Sequence, residues 1–431
     1  MRIEADNFGT AALPEGTLYG INTLRTVENL TFSGRMLSHF PVYISSLAEV
    51  KKAAALANGR AGQYDEAIRD AIVAACDLLI AGRHHDQFPV DVFHGGGSIG
   101  INMNINEVIA RLAGPGVDAV DHVNASQSTS DVCHTAIRVA LLKLAEPLCR
   151  ALSSLADALE EKAGELGGVE TIARTCLQDG MKVSLGVIFS GISAALRRRL
   201  ESLRAALDEL HAVNLGGTVI GCGTGASDAY RAHILEALRE VTGLPLRHRK
   251  NLYDAAQHPD DLARVSSELR LLAGLLVKCA KDLRLLSSGP EAGLAEIRLP
   301  AVQAGSSFFP GKVNPVVPET LIQCGFLVTA YDHAVQMAIE HGELHLNVWE
   351  GLAGILAMEA MQMLASAVAK FERYCIRGIR ANLSRCEAYA NSLVPLVIAL
   401  KETYGYRELS ELVKNLTPEE IKETYGRREK P

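Results

Sequence analysis

The chain has 431 residues, 48% of them hydrophobic and 22% charged, with a net charge of −7. That balance supplies a sizeable core and excludes a disordered chain, while a pI near 6.0 with scattered Lys and Arg leaves no basic footprint for nucleic acid. The opening MRIEADNFGT lacks the basic start and apolar core of a signal peptide, purely apolar runs are too short for a membrane span, and cysteines occur singly without a CxxC pair. These features predict a cytoplasmic protein with reduced thiols.

In chain order, residues 1–127 read as a mixed, mostly helical domain, broken up by turns such as Gly95-Gly96-Gly97. Residues 128–378 carry long helical stripes. The first runs Leu144, Leu148, Leu152, Leu155 and Leu159, with Pro147 as an expected kink. A second runs Leu196, Leu200, Leu203, Leu207 and Leu210. The clearest is Leu262, Val265, Leu269, Leu272, Leu276, Cys279, Leu283 and Leu286, spaced alternately by three and four residues. That spacing keeps one apolar face turned to a partner helix, as in a bundle. Pro259 suits the first turn of this helix and Gly289-Pro290 stop it. Further helical stretches are expected over about 319–340 and 351–376. No alternating strand series and no βαβ rhythm stand out. Residues 379–431 form a short C-terminal helical domain ending in the charged, loose tail GRREKP. The fold class is mainly α, with a long central helical bundle.

The stretch from Gly305 to Pro315, GSSFFPGKVNP, cannot be helical, because its glycines and prolines demand a shaped loop. It nevertheless holds hydroxyls, a lysine and an asparagine, the groups that bind carboxylates. Alone, it would pass for an ordinary connector. It does not stand alone: the chain also carries Leu18-Tyr19-Gly20-Ile21-Asn22-Thr23-Leu24-Arg25, Asn102-Met103-Asn104-Ile105-Asn106-Glu107-Val108, Ser126-Gln127-Ser128-Thr129-Ser130-Asp131, Arg174-Thr175-Cys176-Leu177-Gln178-Asp179, and the segments at Asp282–Pro290 and Leu346-Asn347-Val348.

These motifs, in this order, resemble those of the aspartase/fumarase superfamily over nearly the whole chain, most closely its aspartate ammonia-lyase branch. The resemblance implies a three-domain, mainly α fold. It also implies a C–N lyase that removes a group from an aspartate-like, substituted succinate to leave fumarate, in a homotetramer whose active site is shared by three chains. No cofactor and no metal are expected, and the partners are a small dicarboxylate substrate and further copies of the chain, not nucleic acid or membrane. Carried over residue by residue, Ser306 is the general base. Ser128, Thr129 and Ser307 hold the carboxylate that charges up, and Thr175, Lys312 and Asn314 hold the other.

The departures concern the leaving group. Ile99 stands where the family shows threonine, Ser130 where it shows asparagine, and Cys176 where it shows histidine or glutamine. Phe309 replaces the loop methionine. Three polar partners of an amino group are thus removed or shortened, which predicts a bulkier or less cationic substituent than the ammonium of aspartate. The competing possibilities are another leaving group (a substituted amine, nitro or water) and a catalytically silent relative. Other constellations are weaker. His341-Gly342-Glu343-Leu344-His345 reads as a solvated corner rather than a zinc motif, and His84-His85 and Cys133-His134 lack further ligands at metal spacing. Cys176 as a nucleophile would have no activating base near it in sequence.

Overall fold

A computed structural model describes residues 1–425 and is mainly α-helical. The expected loose tail, 426–431, lies outside the described residues. The long helices fall where the stripes place them: α1 Thr129–Glu165, α2 Gly186–Glu209, α3 Asp260–Leu286, α4 Val316–Glu340 and α5 Glu350–Tyr374. Every member of the three leucine-rich stripes is buried, from Leu144 at 8% exposure to Leu159, Leu203 and Leu283 at 0%. Deep burial of this kind, not intrinsic propensity, holds helices of this length. Pro147, the expected kink, lies inside α1, which continues through it. Only the bond and space at one turn are lost there, and the flanking buried leucines outweigh them.

The chain divides into two compact units, each made of three separate segments. One comprises Met1–Leu148, Glu201–Leu271 and Leu327–Met363. Here the helices Pro41–Arg60, Glu66–Ile80, Ile99–Ala113 and Asp228–Thr242 pack together, and Arg2–Asp6 pairs antiparallel with Gly9–Leu13. The other comprises, among the described residues, Cys149–Leu200, Leu272–Phe326 and 364–425. Its distinctive piece is a hairpin of β1, Glu170–Thr175, and β2, Gln178–Ser184, which packs against the helices Leu383–Ala390 and Leu393–Asn415.

That hairpin is a difference from the sequence expectation, which found no strand series. Its strands are too short and too polar to print a clear alternation, and a bulge between Ile172 and Arg174 breaks the register. A tertiary anchor compensates. Glu296, 0% exposed, accepts hydrogen bonds from the Thr171 hydroxyl and the Arg174 guanidinium, and Arg174 also lies 5.0 Å from the centre of the Tyr389 ring.

Among the described residues one stretch, Glu350–Gly378, is long and apolar enough to cross a membrane, with mean hydropathy 1.6. It reads as a core helix: 61% of its apolar window is buried within the protein, and its first residue, Glu350, receives a hydrogen bond from the buried Arg138 at 2.6 Å.

Candidate active site

The sequence-predicted residues fall into three groups. Ser128, Thr129 and Ser130 open helix α1 in the first unit. Thr175 and Cys176 sit at the tip of the hairpin in the second, and Ser306, Ser307, Phe309, Lys312 and Asn314 share one loop of that same unit.

The first group is a pre-built cradle. The free backbone N–H groups of a helix start favour an anion, and Ser128 and Thr129 add hydroxyls there. Thr129 is held by Asn102, whose side-chain amide donates to Thr129 Oγ1 at 3.0 Å and to Asn124 Oδ1 at 3.0 Å. With Oγ1 already accepting, the hydroxyl hydrogen is free to donate. Asn124 Oδ1 also accepts from the ammonium of Lys51 at 2.9 Å, and Gln127 Oε1 accepts from the same ammonium at 3.0 Å. Lys51 is completely buried, and burial lowers its pKa to about 7 against the pull of Asp131 and other groups.

Asp131 ties the cradle to the loop after Asn214. One carboxylate oxygen accepts from Ser128 N at 2.8 Å, and the other accepts from Gly216 N and Thr218 N, both at 3.0 Å. Burial pushes Asp131 up to about 6, and those three N–H groups limit the rise. The loop is forced into its path. Thr218 adopts φ 56, a left-handed value that a β-branched residue rarely takes, and Gly221, at φ 88, has no room for a side chain, since a Cβ would stand 2.2 Å from the Leu252 backbone. The result turns two carbonyl oxygens toward Ser130, whose hydroxyl donates to Thr218 O at 2.8 Å and Val219 O at 2.7 Å. Sequence reading missed this contact. The glycines at 216, 217, 221, 223 and 225 were the available signal.

Ile99 begins the helix Ile99–Ala113, is 45% exposed, and lines a cleft of about 480 Å³ with Phe8, Asn22, Arg25, Thr26 and Met103. Beside Ser130 a small cavity of about 20 Å³ is lined by Ser98, Cys133, Asn347 and Glu350. Glu350 is also 2.9 Å from His134 Nδ1. Burial alone would raise this carboxyl, but His134 and Arg138 bring it down to about 2. Arg138 in turn bonds both oxygens of Asp261 at 2.7 Å. His134 is therefore part of a packed ionic network, and Cys133 is a buried free cysteine. Among the described residues no group of three or more His, Cys, Asp or Glu could hold a metal ion.

The hairpin tip is a two-residue turn, Cys176-Leu177, between the paired Thr175 and Gln178. Both turn residues have positive φ, 54 and 59, the geometry of a type I′ turn that usually takes Asn-Gly. Cys176 is exposed and Leu177 is 71% exposed. Conformations of this kind cost about 1–3 kcal/mol each and persist only where the surroundings fix them, here through Arg174 and Glu296 at the base of the turn.

The third group is folded on itself. Gly305 N donates to Lys312 O at 2.8 Å and the Asn314 amide donates to Gly305 O at 2.7 Å, closing the loop's ends together. Gly305 is obligatory here, because a Cβ would meet Lys312 O at 2.6 Å and Asn314 N at 2.7 Å. Inside the closed turn, Ser306 Oγ accepts from Phe308 N at 3.0 Å and Phe309 N at 3.3 Å. The Lys312 ammonium lies 5.9 Å from the centre of the Phe309 ring. Phe308 is 95% exposed and Phe309 is 50% exposed.

The chain is similar to known proteins over most of its length. A family described as Lyase matches residues 10–329. The aspartate ammonia-lyase of Helicobacter pylori is 41% identical over 424 residues, 96% of this chain and 91% of that protein. The Escherichia coli aspartate ammonia-lyase is 38% identical over 94% of this chain and 87% of its own length.

The chain belongs to the aspartase/fumarase superfamily.

Solved members superpose well on it. A fumarate lyase:delta crystallin protein of Brucella melitensis, in a crystal structure bound to cobalt, has TM-score 0.94 and 41% identity, covering 99% of this chain and 96% of that one. A class II fumarase of Schistosoma mansoni has TM-score 0.92 at 28% identity, covering 96% and 92%. As a C–N lyase of this superfamily, the chain forms fumarate by a reversible elimination.

Proposed function

We propose that the chain eliminates ammonia or an amine from an aspartate-like succinate by way of a carbanion, with Ser306 as the general base. Removing a proton from a carbon beside a carboxylate is unfavourable unless that carboxylate takes up a second negative charge. Fixed donors aimed at it are therefore the main catalytic device. Ser128, Thr129 and Ser307 would supply them, while Thr175, Lys312 and Asn314 would hold the other carboxylate. The observation that carries this reading is the pair of N–H groups, from Phe308 and Phe309, on Ser306 Oγ. A serine can act as a base only if its alkoxide is stabilised, and two backbone donors on the oxygen do that.

Phe309 would stand near the departing group, beside Ile99, Ser130 and Cys176. We further infer a cytoplasmic homotetramer whose active site draws on three chains. The exposed apolar side chains at Leu177, Phe308 and Phe309 fit burial by further copies. Light scattering that found a fully active monomer would overturn the assembly. For the chemistry, substituted succinates incubated with the enzyme should release the conjugated diacid, followed by its ultraviolet absorbance. A Ser306→Ala enzyme that kept wild-type turnover would overturn the base.

A further inference from the structure

We propose that Lys51 is a positioning residue for the reaction. Its buried ammonium sets the direction of the hydrogen bonds that aim the Thr129 hydroxyl, and it supplies positive charge to the carboxylate held there. The inference rests on the elimination proposed above, in which Ser128 and Thr129 receive the carboxylate that charges up. The helix Pro41–Arg60 carries Lys51 and Asn58 two turns apart on one face. Both reach the turn that leads into α1. Asn58 donates to Ala125 O at 2.9 Å and accepts from the Ser126 hydroxyl at 2.7 Å. Lys51 donates to Asn124 Oδ1 at 2.9 Å and to Gln127 Oε1 at 3.0 Å. Ser126 is held at φ 61, a left-handed value that needs such support.

An ammonium has donors and no acceptor, and this fixes the polarity of the chain of groups beyond it. Asn124 must turn its oxygen to Lys51, so Asn102 and Asn106 turn amide hydrogens to that same oxygen, at 3.0 and 3.2 Å. The other hydrogen of the Asn102 amide goes to Thr129 Oγ1 at 3.0 Å, which leaves the threonine hydrogen to point outward as a donor. A neutral amine carries a lone pair and would not enforce this order.

The charge matters as well as the direction. Lys51 is 0% exposed, and among the described residues no carboxylate stands within ion-pair distance of it. Asp131 attracts it from beyond contact, while its own oxygens serve three N–H groups. A buried ammonium met only by neutral oxygens is unfavourable, and an uncharged side chain would pack the same face more easily. Fixed beside the cradle, that charge stabilises an anion without reorganisation.

The groups facing Lys51 are Asp131 and Cys133 of α1 and Cys76 of the helix Glu66–Ile80. Behind them stand Tyr43, against Cys133, and Tyr230, against Asp131. Burial keeps both thiols and both phenols protonated, Cys133 being pushed up to about 12, and Asp131 rises only to about 6. Above neutrality, therefore, Lys51 is the member of this cluster that titrates, from about 7 in the free protein. A bound carboxylate draws a proton from solvent back onto it.

The test uses the intact enzyme, with succinate as the binding probe and aspartate, N-methylaspartate and malate as substrates. Wild-type affinity for succinate should weaken about fivefold between about pH 7 and 9, as proton uptake on binding requires. Lys51→Met should abolish that dependence. It should lower kcat/KM for the best substrate about 10- to 100-fold, mostly in kcat, because the second negative charge exists only in the transition state. Its affinity for succinate near pH 7 should fall by no more than about fivefold, and its melting temperature should stay within about 3 °C, since the lost hydrogen bonds are offset by removal of a buried charge.

A wild-type succinate affinity that is flat over this range overturns the role of Lys51, and this measurement stands even where the variant fails to fold. The role also falls if Lys51→Met keeps the pH dependence or retains kcat/KM within about threefold, or if its succinate binding, turnover and melting temperature fall together, as a merely structural lysine requires. In each of these cases fumarate release by the wild type leaves the elimination standing. Fumarate from none of the three substrates overturns the elimination, and the role of Lys51 with it.

Discussion

The start of helix α1 and the loop 305–315 both present hydroxyls, yet they are built on opposite plans. Thr129 and Ser130 are gripped from outside their own segment, by Asn102 and by carbonyls 88 and 89 residues away in sequence. Asp131 extends that grip to Gly216 and Thr218. The named hydrogen bonds of the loop, by contrast, close within the loop itself, around Gly305 and Ser306. Groups that must already be in place when charge develops gain from rigid support, because no reorganisation is then needed during the reaction. A loop that carries its own donors can move as one piece and still deliver a stabilised serine oxygen. On the proposed mechanism, the difference would separate a fixed cradle from a base carried on a loop free to move.

The largest expected effect tests the mobile side. Ser306→Ala should lower kcat by about 10³-fold or more, towards the upper range for a positioned base, with the melting temperature little changed, since a half-buried loop hydroxyl carries little packing. A melting temperature that fell with activity would break the contrast by making the loop part of the rigid framework.

Next comes the cradle. Asp131→Asn replaces an acceptor of three N–H groups by a side chain whose amide would face the donors of Gly216 and Thr218. Here kcat/KM should fall about 100-fold and the melting temperature should drop as well, since buried donors left unpaired cost about 1–3 kcal/mol each. The wild-type pH profile sharpens this point. The folded pKa of Asp131, about 6, lies above its ordinary value of 3.8. The folded protein therefore binds this proton more tightly than the unfolded chain. Its linked contribution to stability is most favourable below the ordinary value and declines as pH rises through 6. Activity should run the other way. Protonation below about 6 weakens the three N–H bonds, giving kcat/KM an acid limb without a matching loss of stability, and Asp131→Asn should lack that limb.

A smaller effect is expected at Lys312. Lys312→Ala should raise KM about 10-fold or more with a lesser change in kcat, as loss of a charge-assisted contact to a carboxylate requires. A kcat loss at unchanged KM would place the lysine in the chemical step instead. The smallest effect contrasts one residue from each region, read from chemical denaturation. Val313→Ala, at a loop side chain 53% exposed, should shift stability by no more than about 0.5 kcal/mol. Asn102→Ala, which strips the support from Thr129, should cost about 1–3 kcal/mol.

Legibility in the sequence followed the range of the interactions. The leucine stripes announced the long helices because a helical face repeats every three or four residues within one segment, and each stripe residue proved buried. The loop at 305–315 was legible because glycine and proline act locally on the backbone. The hairpin bearing Cys176 was not: its turn holds Cys-Leu where the geometry favours Asn-Gly, and its strands depend on Glu296, some 120 residues on.

By itself, then, the sequence determined the mainly helical build, the shaped loop and the residue types able to bind two carboxylates, because each is written in side chains and their local spacing. The tertiary structure alone decided which oxygens surround Ser130. Carbonyl groups belong to every residue and so leave no mark in the sequence. They converge only where a strained, glycine-rich loop is pinned by Asp131 and turns Thr218 and Val219 toward the hydroxyl of Ser130 on α1.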